Sequence, residues 1–267
     1  MIAFAPCKIN IGLKILNKRK DDYHNIDSYF YAVPLYDILE IQESEQDKLT
    51  QTGIISTAKT EDNLVYHALQ LLRHDFYIPP VHIHLHKQIP KQAGLGGGSS
   101  DATAVLKLLQ NYFKLNISHE KLFDLALNLG SDCPFFIKHQ ASRVQGRGEI
   151  VLPWNFSLKS KYIVIVKPFF SISTKNAFSS QRKKATDTLP NISEIPFDQW
   201  LHYFTNDFES ILTNKQFSLL EIKKTFLQSS AFYVSLSGSG SAVFGLFHSM
   251  PNMLFPSSYF VWKSQLH

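Results

Sequence analysis

Four of the chain's 12 glycines fall within five positions, Gly94 to Gly98, and Ser99, Ser100 and Asp101 follow directly. Glycine loses more backbone freedom on folding than any other residue, so this run indicates unusual backbone angles or a close approach to another group. The three polar residues are typical of a helix N-cap and first turn, and residues 102–109 repeat apolar side chains at helical spacing. Because the first amides of a helix lack partners and its dipole is positive there, the stretch predicts an anion site, typically for phosphate.

Three alternative kinds of loop fit these residues less well. A flexible surface turn rarely needs so many glycines before a capped helix. A Walker A loop would place Lys-Ser or Lys-Thr after the last glycine, and none follows. A dinucleotide fingerprint would need a third glycine where Ser99 stands and an acidic residue about twenty positions later. A glycine-rich loop alone is a weak signal, so the rest of the chain must show which kind of phosphate-binding protein this is.

Two further residue types could do chemistry. His82, His84 and His86 alternate along a predicted strand and share one face, as metal ligands can. No fourth ligand is spaced nearby, so a half-exposed strand face is the better interpretation. The two cysteines, Cys7 and Cys133, form no CxxC motif and are expected to be free thiols.

Composition limits the class of protein. The chain has 267 residues, 44% of them hydrophobic and 18% charged, which is typical of a globular protein. Its net charge of +5 fits an anionic ligand or loose contact with nucleic acid, but no basic stripe interleaved with aromatic residues occurs. No signal peptide and no apolar run long enough for a membrane span is visible. We expect a cytoplasmic protein without a membrane partner.

Periodicity predicts the elements that must position these residues. Alternation and apolar runs predict strands in residues 1–17, 27–33, 37–44, 81–89, 142–153, 161–168 and, around a Gly-Ser turn, 232–247. Helical spacing and capping residues predict helices in residues 60–72, 102–109, 118–130, 197–204 and 217–228. Residues 131–137 are predicted to be a loop, and the polar stretch 179–196 a mobile loop.

The order of these elements predicts a fold class. Strands and helices mix without regular βαβ alternation, which favours an α+β protein. The sequence pattern changes at Pro153, which predicts two lobes: residues 1–152 with the phosphate loop, and residues 153–267.

Three stretches in this order, "APCKINIGLKI", "PKQAGLGGGSSDA" and "VSLSGSGSAVFGLF", resemble the GHMP kinase superfamily of small-molecule kinases. The resemblance implies a two-lobed fold with an N-terminal lobe like domain 2 of ribosomal protein S5 and a ferredoxin-like C-terminal lobe. The stretches "KDDYHNIDSYFYAVPLYD", "LGSDCPFFI" and "VQGRGEI" further resemble the branch that phosphorylates a hydroxyl of a cytidine-diphosphate-linked sugar alcohol in non-mevalonate isoprenoid precursor biosynthesis. ATP and Mg²⁺ are the implied cofactors.

The resemblance also implies residue roles. Lys8 and Asp132 match the catalytic lysine and aspartate, and Tyr23 and His24 match the nucleobase-binding pair. Phe178 matches a second aromatic that closes over the cytosine, and Asn10 a contact near the substrate. The ATP phosphates would be held by the backbone of Gly94, Leu95, Gly96, Gly97, Gly98, Ser99 and Ser100. A second glycine loop, with Gly238, Ser239 and Gly240, would help to close the site.

The implied chemistry suits these residue types. Phosphoryl transfer needs positioning and charge stabilisation, with a carboxylate near the attacking hydroxyl. Asp132 could accept that proton, and Lys8 could stabilise charge on the nucleophile or on the γ-phosphate. An ordinary buried salt bridge between the two is the alternative. Ser100 is the best candidate for a protein oxygen on Mg²⁺, and its alternative role is a helix cap.

Two other classes of function stay open. One is another GHMP small-molecule kinase, of the homoserine or mevalonate type. The other is a non-catalytic nucleotide- or RNA-binding module, against which the presence of both Lys8 and Asp132 argues. The expected partners are the cytidine-diphosphate-linked substrate and ATP, without nucleic acid, in a monomer or homodimer. Asp22 replaces a glycine that family members usually have before the Tyr-His pair, which affects the predicted pose of that pair.

Overall fold

The computed structural model describes residues 1–54, 60–180, 187–212 and 217–267. The strands are β1 Ile2–Lys18, β2 His24–Glu43, β3 Lys48–Gly53, β4 Val81–Lys87, β5 Ser142–Gly146, β6 Ile150–Pro153, β7 Tyr162–Lys167, β8 Tyr233–Leu236, β9 Val243–Phe247 and β10 Phe260–Gln265. The helices are α1 Leu64–Asp75, α2 Gly97–Tyr112, α3 His119–Leu129, α4 Cys133–Lys138, α5 Thr174–Ser180, α6 Trp200–Tyr203, α7 Glu209–Leu212 and α8 Phe217–Gln228. The α+β class is therefore confirmed.

The chain divides into two compact units that interleave along the sequence. The first unit comprises residues 1–7, 35–90 and 96–139, and the second comprises residues 8–34, 91–95 and 140–267. Strands β1 and β2 each pass from one unit into the other. These units are defined by internal packing, and the lobe boundary between residues 152 and 153 stays a prediction.

The first unit packs three helices on one face of a sheet. Residues 38–43 of β2 pair with β4 antiparallel, and β3 pairs with β4 parallel. Val81, Ile83 and Leu85 alternate into a buried core with the apolar faces of α1, α2 and α3, as the sequence pattern predicts. Side chains cap two of these helices: Asn63 accepts from the Val65 amide, and Ser118 accepts from the Lys121 amide.

The second unit contains a four-stranded antiparallel sheet in the order β10-β7-β9-β8. Its core includes the buried side chains of β7 and β9 and the apolar face of α8, with Ile222 and Phe226. Residues 26–30 of β2 pair with β5, and β5 pairs with β6 as a hairpin. The antiparallel sheet with its helices agrees with the ferredoxin-like lobe that the family resemblance implies.

Three local predictions need correction. The two strands predicted in residues 27–44 form the single strand β2, and Pro34, which has no amide proton, lies between its stretches paired to β5 and to β4. Residues 133–138 form helix α4 rather than a loop, because Pro134 is tolerated in a first helical turn and the following apolar residues are buried. Residues 187–196, predicted as part of a mobile loop, are anchored by the buried side chains of Leu189 and Ile192; residues 181–186 of that prediction lie outside the described residues.

Two strands escaped the sequence analysis. Strands β3 and β10 each pair along one side in the described sheets, and their side chains are mostly half-buried or exposed. Such strands lack a clear hydrophobic alternation, so periodicity does not reveal them. None of the described helices combines the length and the apolar character that a membrane crossing requires.

Candidate active site

Helix α2 begins inside the glycine run, two residues earlier than the serines would suggest. Gly96 is the N-cap residue, with φ 70°, and it has no side chain to cap the helix. The first helical hydrogen bond joins the Ser100 amide to the Gly96 carbonyl at 2.9 Å. The amides of residues 97–99 precede this bond, so they lie at a helix N-terminus where an anion is favoured.

Gly98 shows which part of this N-terminus is open. A Cβ atom at Gly98 would meet only the Leu64 side chain, at 3.7 Å, which is ordinary contact. At Gly97 a Cβ would lie 2.9 Å from Ile89, so packing within the chain already requires a glycine there. Because nothing in the described chain requires glycine at position 98, its missing side chain leaves space for a ligand to approach the backbone.

Two buried polar atoms near the start of α2 have no hydrogen-bond partner among the described residues. They are the hydroxyl oxygen of Ser100 and the Oδ1 atom of Asp101. Ser100 also borders a cavity of about 180 Å³ lined by the start of β1, by α2 and by α4. The other carboxylate oxygen of Asp101 accepts from Lys87 Nζ at 2.6 Å, and the same ammonium donates to Asp37. Sequence analysis missed Lys87 and Asp37, which no local pattern distinguishes.

Asp132 occupies the N-cap position of α4. This short helix is fixed to α2 within the first unit, because Thr103 Oγ1 donates to the carbonyl oxygen of Cys133 at 3.1 Å. The predicted end of α3 at Gly130 is confirmed, and the Gly130 carbonyl accepts from the Cys133 amide. Asp132 therefore lies in a short, constrained connection between two helices.

The second unit holds the start of the glycine run against the second glycine loop. Gly94, with φ 75°, lies so close to the second loop that a Cβ there would overlap the carbonyl oxygen of Ser237. Ser237 Oγ donates to the Gly94 carbonyl at 2.9 Å. Asn206 supports the loop from the other side, because its Nδ2 donates to the carbonyls of Leu236 and Gly238. The predicted proximity of the two glycine loops is thus present at Gly94.

Lys8 lies buried beside these loops in the second unit, with 3% of its surface exposed. Its amide donates to the Leu95 carbonyl at 2.9 Å. Its ammonium donates to Asn10 Oδ1 at 2.6 Å and lies 4.6 Å from the centre of the Phe30 ring. A side chain at Gly238 would come within 3.5 Å of this ammonium, so the glycine keeps that approach clear. A buried, oriented ammonium of this kind can stabilise transferred negative charge.

The predicted nucleobase residues also lie together in the second unit. His24 and Phe178 stack with ring centres 5.3 Å apart, and the neighbour of His24 in the sequence, Tyr23, is half exposed. The guanidinium of Arg147 lies 4.9 Å from the centre of the Tyr23 ring. Sequence analysis did not single out Arg147, although it lies within the stretch "VQGRGEI".

The conformation of the turn before Tyr23 fits the glycine that the family resemblance implies at position 22. Asp22 has φ 65°, a left-handed conformation that glycine adopts without strain and aspartate tolerates. The turn is closed by a hydrogen bond from the Arg19 amide to the Tyr23 carbonyl at 2.8 Å. Arg19 also forms an ion pair with Glu149 at 2.6 Å, so the turn is held against the β5–β6 connection despite the substitution.

The histidine row and the cysteines have structural roles. Thr50 Oγ1 lies 2.8 Å from His82 Nε2 and 3.0 Å from His84 Nδ1, and Thr52 links His84 to His86 in the same way. Within the described part of the chain, no three His, Cys, Asp or Glu residues are grouped as a metal site would need. Cys7 and Cys133 are buried thiols that form no disulfide in the described part of the chain, and burial raises the pKa of Cys133 to about 11.

The structure brings the predicted site residues into two groups. The second unit contains Lys8, Asn10, Tyr23, His24, Gly94, Leu95, Phe178, Gly238, Ser239 and Gly240. The first unit contains Gly96, Gly97, Gly98, Ser99, Ser100 and Asp132. The pairing of Lys8 with Asp132 joins residues of different units and stays a prediction.

Comparison with known proteins identifies the class to which this fold and site belong. The family model described as GHMP kinases N terminal domain matches residues 63–140, which include the glycine run and Asp132. The solved structure of a Methanococcus jannaschii mevalonate kinase has the same fold, with a TM-score of 0.70 and 12% identity over 100% of this chain and 98% of its own. The class is that of the GHMP small-molecule kinases.

Closer relatives narrow the class. A 4-diphosphocytidyl-2-C-methyl-D-erythritol kinase of Parabacteroides distasonis is 42% identical over 271 residues, covering 100% of both chains. One of Porphyromonas gingivalis is 44% identical over 258 residues, covering 95% of this chain and 94% of its own. A solved 4-(cytidine 5'-diphospho)-2C-methyl-D-erythritol kinase matches with a TM-score of 0.78 and 30% identity over 92% of this chain and 90% of its own. The chain therefore belongs to the 4-diphosphocytidyl-2-C-methyl-D-erythritol kinase family, and it is an ATP-dependent small-molecule kinase.

Proposed function

We propose that this kinase transfers the γ-phosphoryl group of ATP to the 2-hydroxyl of 4-diphosphocytidyl-2-C-methyl-D-erythritol, a step of isoprenoid precursor biosynthesis by the non-mevalonate route. The full-length relatives support the substrate, since they are kinases named for it. The observation that carries the proposal is the open backbone at Gly98, at a helix N-terminus without a side-chain cap. An anion can approach these amides closely, as the phosphates of ATP must.

Mg²⁺ fits this proposed site as a partner of the phosphates. The residues offer one buried hydroxyl without a hydrogen-bond partner, Ser100 Oγ, and the described part of the chain contains no all-protein metal cluster. This donor set suits Mg²⁺, which keeps several waters and binds substrate phosphates with few protein ligands. When bound, Mg²⁺ would neutralise charge on the phosphate oxygens. Ser100 is the protein ligand that we propose.

Lys8 and Asp132 are proposed to act on the reacting groups. The buried ammonium of Lys8 stabilises negative charge on the transferred phosphoryl group or the attacking oxygen, where low water access strengthens the interaction. The carboxylate of Asp132 orients the substrate hydroxyl and accepts its proton. The second glycine loop, at Gly238, Ser239 and Gly240, closes the site beside Lys8.

The cytosine ring is proposed to bind at the aromatic group of the second unit. Tyr23 provides a half-exposed ring face, and His24 provides ring nitrogens that can donate or accept a hydrogen bond at the base edge. Phe178 supports His24 by stacking, and Arg147 lies over Tyr23. These positions are a base site rather than a metal or nucleic-acid site.

The proposal also concerns the location, the partners and the oligomeric state of the enzyme. ATP and a cytidine-diphosphate-linked sugar alcohol are cytoplasmic metabolites, so we place the reaction in the cytoplasm. Neither a nucleic acid nor a membrane partner is needed for it, and one chain carries every proposed group. A monomer and a homodimer are both compatible with this proposal.

The test measures ADP release from Mg-ATP with 4-diphosphocytidyl-2-C-methyl-D-erythritol. We expect turnover in the wild type and a fall in kcat of at least about 100-fold in Lys8→Ala and in Asp132→Asn, while ATP still binds. Lys14→Ala is the matched control, because Lys14 lies on the same strand but contacts Thr205 and Asp207 instead. Turnover of mevalonate or homoserine alone would discard the substrate. Salt-dependent RNA binding without any ATP turnover would support a binding module instead.

A further inference from the structure

A chain of buried hydrogen bonds ends at the ammonium of Lys8. The Oδ1 atom of Asn10 accepts from Lys8 Nζ at 2.6 Å and from the Gly238 amide at 2.8 Å. On its other side, Asn10 Nδ2 donates to Ser28 Oγ at 3.0 Å. Ser28 Oγ donates to the Gly12 carbonyl at 2.6 Å. Lys8, Asn10 and Ser28 are all almost completely buried, so water does not compete for these bonds.

The direction of every bond in this chain is determined. The single hydroxyl proton of Ser28 goes to the Gly12 carbonyl, so the Ser28 oxygen can only accept from Asn10. The amide nitrogen of Asn10 must therefore face Ser28, and its oxygen must face Lys8. The reversed amide would place an NH₂ group against an ammonium and against the Gly238 N–H, leaving buried donors without acceptors.

This arrangement adds to the role expected for Asn10. Family resemblance implies a contact near the substrate, which stays a prediction; in the structure Asn10 is 0% exposed and its oxygen accepts two donors. Its position couples Lys8 to the second glycine loop. Phe30, two residues after Ser28 on the same face of β2, lies under the Lys8 ammonium. Two side chains of β2 thus define where the Lys8 ammonium points.

We infer that Ser28 is a positioning residue of the phosphoryl transfer: through the Asn10 amide it orients the Lys8 ammonium and the Gly238 turn. This inference rests on the proposed role of Lys8. Ser28 itself touches neither Lys8 nor the reacting groups in the contacts of the described residues. Removing its hydroxyl should therefore lower the rate of the chemical step and leave substrate binding almost unchanged.

The test compares single and double variants. For Ser28→Ala we expect kcat to fall roughly 10- to 100-fold, as for a misplaced catalytic group, with both KM values within about threefold of wild type. In the Asn10→Ala background, Ser28→Ala should cause no further fall in kcat, because Ser28 acts on Lys8 only through the Asn10 amide. Ser28→Thr keeps the hydroxyl and should recover most of kcat.

A matched control separates this role from simple destabilisation. Ser142 is also a buried strand serine, and its hydroxyl donates to the Gln140 carbonyl at 2.9 Å. Ser142→Ala should lose comparable thermal stability and keep wild-type kcat. If Ser28→Ala does not fold, Ser28→Cys carries the same comparison, because a thiol is a similar size but a weak hydrogen-bonding group.

The outcomes distinguish this inference from the function on which it rests. Wild-type kcat in a folded Ser28→Ala or Ser28→Cys variant, with Lys8→Ala inactive, would overturn the inference alone. Additive losses from Asn10→Ala and Ser28→Ala would also overturn it. Full turnover in Lys8→Ala would overturn the role of Lys8 on which the inference rests, whereas no ADP release by the wild type with this substrate would overturn the proposed function itself.

Discussion

Lys87 is buried between two carboxylates, Asp37 on β2 and Asp101 near the start of α2. Asp37 accepts from the Lys87 ammonium and from the amides of Gln88 and Ile89, whereas Asp101 has one oxygen without a partner among the described residues. Burial by itself lowers the pKa of Lys87, but the two neighbouring carboxylates raise it above its ordinary value. Burial raises the pKa of Asp101 to about 8, and the Asp37 charge adds to this effect. Near neutral pH the trio therefore tends to hold a proton on Asp101.

This proton makes stability depend on pH. Between the ordinary aspartate pKa and about 8, native Asp101 keeps a proton that the unfolded chain has released. The free energy of unfolding should therefore decrease as pH rises through this range, by up to about 1.4 kcal/mol per pH unit. Asp101→Asn removes this titration. The free energy of unfolding of the variant, measured in urea, should therefore increase relative to that of the wild type as pH rises from about 5.5 to about 7.5.

The control for this titration is an exposed carboxylate. Asp124 lies on the surface of α3, so Asp124→Asn should leave the pH dependence of the wild type intact. Parallel curves for Asp101→Asn and wild type would show that Asp101 is already ionised in the native protein. Such a result would contradict the protonated state.

The element that starts at the glycine run uses its glycines for different reasons. Gly94 has a positive φ and touches the second glycine loop, so packing within the protein requires it. Gly98 lies in the first turn of α2, where a side chain would meet only ordinary contact. Packing within the protein therefore requires Gly94, whereas Gly98 leaves the backbone open where we propose that the phosphates of ATP approach.

A pair of alanine substitutions tests this distinction. Gly94→Ala should lower the free energy of unfolding by about 2 kcal/mol or more, because its Cβ would overlap Ser237 and adopt an unfavourable φ. Gly98→Ala should keep or slightly raise stability, since alanine favours a helix by up to ~1 kcal/mol. Its KM for ATP should nevertheless rise about tenfold, which corresponds to about 1.4 kcal/mol of binding.

Thermal unfolding measures the change in stability of both variants, and ATP titrations measure their KM for ATP. An unchanged KM for ATP in stable Gly98→Ala would exclude close phosphate approach at this residue. A stable Gly94→Ala would show that the second glycine loop can move away from the first.

At the scale of the whole molecule, the charge balance suits the proposed ligands. The chain has 27 Lys and Arg residues against 22 Asp and Glu residues, a net charge of +5. Both proposed substrates are anionic, and a positive protein attracts anions over a distance that salt shortens. The buried ammonium of Lys8 is less exposed to this screening.

We expect salt to act on capture of substrate rather than on chemistry. Raising ionic strength from about 0.01 to about 0.1 M shortens the screening length from about 30 Å to about 10 Å. The value of kcat/KM for both substrates should therefore fall while kcat stays within about twofold, measured at constant free Mg²⁺. A fall in kcat with unchanged kcat/KM would show that salt acts on the catalytic step or on the fold.

Local patterns by themselves determined much of this protein. Periodicity and capping residues predicted helices α1, α3 and α8 and strands β4 and β7, because these signals lie within a few neighbouring residues. The glycine run and the residues after it predicted that a helix begins there, as α2 does. The anion site at that start, and the roles of Lys8 and Asp132 that the matched motifs imply, stay predictions. The secondary structure of buried, strongly periodic segments can be predicted from sequence, because the apolar residues that reveal the period also form the face that packs on the core.

Only the tertiary structure decided which distant groups share a hydrogen bond. Asn10 meets Gly238 across 228 residues, and Lys87 meets Asp37 across 50. It also decided that buried Asn10 accepts a hydrogen bond from Lys8, that residues 133–138 form a helix and that β3 and β10 join the sheets. Each of these depends on packing between residues far apart in the chain, and local propensity contains no information about such partners.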